Sequence, residues 1–274
     1  MRRHLAMPDI EQNLAVWNEA WDWSGGGDEW SEWWGGTPAL WFGALLPRIH
    51  TFIPTGTILE IAPGFGRWTQ FLKEVCERLV IVDIAERCIE ACRERFADAG
   101  NLEYHVNDGR SLDMVDDGSI DFAFSFDSLV HAESDVLEAY VSGLARKLKP
   151  DGIGLLHHSN AGEYRALSAL ARRTPERPRR RLVRAGAMID VYAWRAETVT
   201  AVKVAQQCAS AGLACVSQEK ISWEHGLFLT DAISVMTPRG SRWERPREVA
   251  SNPMFRQEGR RMARLYSRSS LPDP

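Results

Sequence analysis

Between residues 57 and 158 short apolar strands alternate with helical stretches, and few architectures accommodate that order. Thr57–Ile61 reads as a buried strand, bounded by Gly56 and Pro63. A helix is predicted at 67–75, a second strand at 79–82 and a second helix at 86–97. Strands follow at 102–106, 120–126 and 152–157, with a helix at 135–148 between the last two. After an interruption at 161–194 come a helix near 195–211 and strands near 213–222 and 232–237. Seven strands in this alternation predict an α/β fold with a parallel, doubly wound, Rossmann-like sheet covered on both faces.

The flanks differ in composition. Seven of the eleven tryptophans lie in the first 43 residues, so residues 1–50 are expected to form an aromatic-rich helical arm, broken by Gly25–Gly27, on a domain spanning 51–238. The 161–194 segment carries seven arginines between 172 and 184 and reads as an inserted cap. Residues 239–274 hold nine arginines against four acids and read as a solvated, Arg-rich tail. A net charge of −4 argues against nucleic acid as the main partner, and no apolar run is long enough to cross a bilayer. The N-terminus lacks the apolar core of an export signal, and five cysteines without a CxxC pair suggest reduced thiols in a cytoplasm and no metal centre. Self-association is left open.

Chemistry concentrates in Leu59-Glu60-Ile61-Ala62-Pro63-Gly64-Phe65-Gly66-Arg67, a strand running through a glycine turn into a helix. Such a turn lets a ligand approach the backbone, and the helix start offers unpaired N–H donors. Asp83 closes the second strand, where an acid can accept both hydroxyls of a ribose. A dinucleotide site asks for a third glycine, which Trp68 and Thr69 do not provide, so a nicotinamide oxidoreductase is disfavoured.

The segment resembles the first motif of class I S-adenosylmethionine (SAM)-dependent methyltransferases, with Glu60, Ala62, Gly64 and Gly66 at its acid and glycine positions and Ala62 departing from the glycine. Val106-Asn107-Asp108-Gly109, Phe124 through His131, and Leu148-Lys149-Pro150-Asp151-Gly152-Ile153 match later motifs in order. The resemblance implies SAM as cofactor: Glu60 toward the methionine amino group, Asp83 on the ribose, Asp108 and Gly109 at the adenine, Phe126 beside the methyl donor. A narrower resemblance, through Trp30–Gly36, Glu60–Trp68, Phe126–His131 and His157–Asn160, is to bacterial sugar O-methyltransferases of polysaccharide and glycosylated natural-product pathways.

An alcohol nucleophile must lose a proton, which a histidine can take. His131 is the first candidate for that base and His158 the second, with Asp127 positioning base or nucleophile. Side chains alternate along a strand, so His157 and His158 should face opposite ways unless the strand has ended. Trp33, Trp34, His157, Asn160, Tyr192 and Trp194 are the candidates for holding a small acceptor, a sugar or glycoside. Two other functions fit the same fold: O- or N-methylation of a non-sugar metabolite, and a catalytically silent SAM-binding partner subunit.

Overall fold

The computed structural model describes residues 9–191, 193–223 and 228–269. The N-terminal arm starts with α1 (Ile10–Leu14), capped by the Asp9 side chain on Gln12 N–H, and continues as a wider π-turn through Ala20. A 3-10 segment at Asp28–Trp34 follows. Then α2 (Thr37–Leu40), a π-turn at Trp41–Leu45 and α3 (Leu46–Ile49) run on as one helical stretch.

The sheet comprises β1 (Thr55–Ile61), β2 (Cys76–Asp83), β3 (Leu102–Val106), β4 (Ile120–Ser125), β5 (Leu148–Ser159), β6 (Leu213–Ile221), β7 (Asp231–Pro238) and β8 (Glu248–Asn252), in the spatial order β3-β2-β1-β4-β5-β7-β6-β8. It has eight strands rather than the seven expected, and it is not wholly parallel, because β7 runs antiparallel to both β5 and β6. Strand order reverses between β1 and β4, which opens a crevice at their C-terminal ends.

Two-residue periodicity decides which layer each strand residue joins. Ile58, Leu79, Ile81, Phe122, Phe124, Ile153 and Leu155 face the layer of Leu40, Trp41 and Leu45 from the arm. Leu59, Ile61, Val80, Val82, Ala123 and Leu156 face the opposite layer. Between strands lie α4 (Thr69–Leu72), α5 (Glu86–Arg95) and α6 (Ser134–Lys147). The 161–194 segment contributes α7 (Arg165–Arg173) and α8 (Glu176–Arg184), and α9 (Ala201–Ser210) returns to the sheet. Leu137, Val141 and Leu144 of α6 and Val204 and Cys208 of α9 fill the second layer, each large aliphatic contributing about 1.5–3 kcal/mol by leaving water.

Residues 239–269, expected as part of a solvated tail, add a strand and a helix instead. β8 pairs with β6, and α10 (Phe255–Ser269) packs on the arm. Phe255 is fully buried, and a Cβ at Gly259 would lie 2.9 Å from Trp34 Cβ, so glycine there allows the two segments to touch. Arg48 locks the contact, bonding Glu219 at 2.6 Å and Glu258 at 2.7 Å. Arginine-rich composition hides this docking, because a few apolar and small residues make it.

Candidate active site

At the mouth of the crevice the chain leaves β1 through a turn with three left-handed residues, Ala62 (φ 58°), Gly64 (φ 57°) and Gly66 (φ 83°). An alanine in that region costs about 1–2 kcal/mol, and it is held by its N–H to the Val82 carbonyl at 2.7 Å. Gly66 serves packing rather than a ligand: a Cβ there would stand 2.5 Å from Phe96 Cε2. Gly66→Ala combines that clash with a positive φ and is expected to destabilise the fold by about 2–4 kcal/mol in denaturant unfolding. An unchanged midpoint would show that α5 has room to move.

Asp83, at the end of β2, is buried and accepts N–H bonds from Gly64 (3.2 Å, Oδ2) and Ala85 (2.9 Å, Oδ1). Burial pushes its carboxyl up to about 6, against the pull of these donors. Beside it opens a cavity of about 450 Å3, the size of a small-molecule site. The turn, Asp83, Gly109, Phe126, Asp127 and His131 line it, and the arm adds Trp17, Trp23 and Trp30.

Asp127 has φ 64°, and its carboxylate pairs with Arg67 at 2.7 Å. The Arg67 guanidinium lies over the Trp68 ring (4.6 Å) and the Trp30 ring (5.5 Å). His131 follows β4 on a short 3-10 turn, with its Nδ1 2.6 Å from the Trp194 carbonyl. A carbonyl only accepts, so Nδ1 carries the proton and Nε2 keeps the lone pair. Burial, with the Arg195 charge, pushes this imidazole down to about 4 despite that bond, so it is neutral at pH 7. The Trp17 ring stands 5.7 Å from it, and Asn13 of the arm donates to its backbone carbonyl.

The structure thus brings Ala62, Gly64, Asp83, Gly109, Phe126, Asp127 and His131 to one cavity. Other expected site residues lie elsewhere. Glu60 turns beneath the turn to accept from the Thr69 hydroxyl at 2.6 Å, with Oε1 buried and unpaired; burial pushes its carboxyl up to about 8. Asp108 is exposed and accepts from Arg110 and Ser111 N–H, closing its own loop, so the adenine role expected of it is not supported by position.

His158 is not placed as a base. β5 continues through Ser159, so His158 points away from Phe126, buried with Nδ1 2.8 Å from the Ser159 carbonyl and Nε2 2.8 Å from Ser234 Oγ. His157, on the other face, packs in a three-ring cluster with Phe126 and Trp223 behind the cavity wall. Asn160 bonds the Leu229 carbonyl and Ala201 N–H, fixing a loop rather than an acceptor.

Trp34 is buried against Trp223, and Trp33 is 62% exposed beneath the Arg256 guanidinium, so neither lines the cavity. Trp194 enters through its carbonyl and a ring edge near His131. Tyr192 lies outside the described residues. Trp17, Trp23, Trp30, Arg67 and Tyr140 are wall residues that the sequence reading did not assign; the tryptophan cluster was the available signal, but not which rings turn inward.

Comparison with known proteins agrees with the topology. Residues 58–152 match the model of a methyltransferase domain. Over 116 residues the chain is 28% identical to phosphoethanolamine N-methyltransferase 1 of Caenorhabditis elegans, covering 42% of this chain and 23% of that protein. Over 75 residues it is 33% identical to ribosomal RNA small subunit methyltransferase A of Geobacter metallireducens, covering 26% and 27%. The chain therefore spans about a quarter of the length of these curated relatives. Among solved structures, that of the DhpI–SAH complex superposes with a TM-score of 0.53 at 18% identity, covering 84% of this chain and 96% of the other. Residues 58–152 thus match a methyltransferase domain and lie within a Rossmann-like α/β sheet.

Proposed function

We propose that this chain transfers the methyl group of SAM to a hydroxyl of a small acceptor, with His131 as the base. SAM supplies an electrophilic methyl on a sulfonium, and an in-line displacement then needs an aligned, deprotonating nucleophile in a site shielded from water. The residues present suit that group. Asp83 offers a buried carboxylate to a ribose diol, the left-handed turn lets the backbone come close, and aromatic faces surround the volume a cation would occupy. The observation that carries the reading is the His131 tautomer: with Nδ1–H given to the Trp194 carbonyl, the acceptor nitrogen is Nε2, on a residue of the cavity wall.

A sugar or glycosylated metabolite suits the broad tryptophan faces of the arm, which pack on C–H surfaces while the carboxylates bind hydroxyls. The wall holds six acids (Asp9, Glu11, Asp83, Asp127, Glu133, Asp135) against Arg67 and Arg110, which also disfavours a phosphate backbone. That excess of acids beside tryptophan rings supports a second reading, a cationic amine acceptor.

Turnover on a panel of methyl glycosides, phenols and short amines separates these readings. Hydroxyl acceptors are expected to be methylated, and preference for amines would favour the second. SAM binding with every acceptor silent would favour a partner subunit. The pH profile checks the base. A histidine held near 4 stays neutral and competent as pH falls, so kcat should hold between pH 8 and 5.5 and drop only as pH approaches about 4. A limb at 6.5 would contradict a desolvated His131 as base.

A further inference from the structure

Behind the cavity wall, a buried cluster joins both candidate catalytic residues to one carboxylate. Asp231, the first residue of β7, has no exposed surface and is gripped by Arg195, Nε to Oδ1 at 2.8 Å and Nη2 to Oδ2 at 2.8 Å. Burial would raise this carboxyl, but the Arg195 charge, with help from His157, outweighs it and keeps the group ionised. Asp231 Oδ2 also stands 3.2 Å from His157 Nε2, within ion-pair distance but without hydrogen-bond geometry. The other nitrogen, Nδ1, accepts the backbone N–H of Asp127 at 3.0 Å.

From Asp231 the second branch runs through Arg195. This residue donates to the Ala193 carbonyl at 3.1 Å and directly follows Trp194, whose own carbonyl accepts the hydrogen bond of His131 Nδ1–H. Three non-glycine residues have positive φ among the described residues: Ala62, Asp127 and Trp194. Two of them are the ends of these branches. A left-handed residue is strained and persists where its surroundings over-determine it, often at functional sites.

We propose that His157, Asp231 and Arg195 are positioning residues for methyl transfer. Through them one buried carboxylate holds Asp127 in its strained conformation on one side and orients the His131 ring on the other. This deepens the transfer reading and rests on it. His157 has one tautomer that can do this: Nε2 carries the proton, toward Asp231, and Nδ1 presents its lone pair to Asp127 N–H. An imidazole protonated on Nδ1 would set donor against donor and release the loop. The Phe126 and Trp223 rings, which also pack against each other, lie against the imidazole and restrict its rotation.

The test joins a spectrum of the unmodified protein to two variants. Imidazole nitrogen NMR should show His157 bare at Nδ1 and protonated at Nε2 at pH 7; a proton on Nδ1 overturns the proposal without any assay. His157→Gln retains an acceptor for Asp127 and a donor for Asp231, whereas His157→Leu retains volume alone. With the acceptor turned over fastest in the panel above, His157→Leu should lose about 10- to 100-fold in kcat, while SAM affinity and acceptor KM shift by no more than about threefold. His157→Gln should recover to within about threefold of the parent. Equal losses in the two variants, or a loss carried by SAM affinity, would make the cluster merely structural and overturn the proposal. Should His157→Leu fail to fold, the spectrum and His157→Gln decide: an Nδ1 proton, or a Gln variant as slow as expected for Leu, counts against it. A panel with no turnover defeats the transfer reading and this use of the cluster, whereas turnover with the wrong tautomer defeats the cluster alone.

Discussion

Replacing His131 with alanine is expected to lower kcat by about 10²- to 10⁴-fold, the range for loss of a positioned general base. SAM affinity should change little, because the imidazole is held by the Trp194 carbonyl and is proposed to face the acceptor rather than the cofactor. His158→Ala is the internal comparison. Both of its ring nitrogens are engaged inside the second core layer, so its loss should appear in unfolding midpoint rather than in kcat. A larger kcat deficit in His158→Ala would reverse the assignment. Full kcat in His131→Ala would leave alignment, not proton removal, as the source of rate.

Asp83→Ala is expected to weaken SAM binding by about 1.5–3 kcal/mol, or roughly 10- to 150-fold, through loss of hydrogen bonds to a charged acceptor. The sign of the pH effect follows from the burial of this carboxyl. Its pKa is raised to about 6, and only the ionised form accepts from two hydroxyls without competing as a donor. SAM affinity should therefore be full above pH 7 and decline as pH falls through about 6. The Asp83→Ala variant should lose that dependence. Calorimetry at pH 5, 6 and 7.5 checks both, and an affinity indifferent to the substitution would remove Asp83 from the site.

Much of the frame was legible because it is written in local chemistry. Strand–turn–helix order, the glycine turn and the acid ending β2 need only adjacent residues to be read, and Ala62, Gly64 and Asp83 line one cavity. Side-chain direction was harder. The strand was expected to end at 157, but β5 pairs with β7 through Ser159, and this sends His157 and His158 to opposite layers. Among the tryptophans, Trp33 and Trp34 lie in a 3-10 segment whose phase depends on α10, a helix more than 200 residues away in sequence. Trp17, Trp23 and Trp30 turn inward instead, onto Phe65 and His131. Asp108 fits a motif by position, yet its carboxylate is used by the two N–H groups that follow it. The Arg195–Asp231–His157 cluster left no motif at all, since its members come from three separate segments.

Hydrogen exchange with and without saturating S-adenosylhomocysteine, resolved by mass spectrometry, tests the placement of the site most directly. Binding in this cavity should slow exchange in peptides covering 62–68, 83–88, 126–133 and the arm at 9–30, whose tryptophans close the far wall. Peptides of α7 and α8 should change less, because those two helices contribute no residue to the cavity wall. Protection confined to 165–184, or none at 62–68 and 83–88 under conditions where calorimetry shows saturation, would contradict the account.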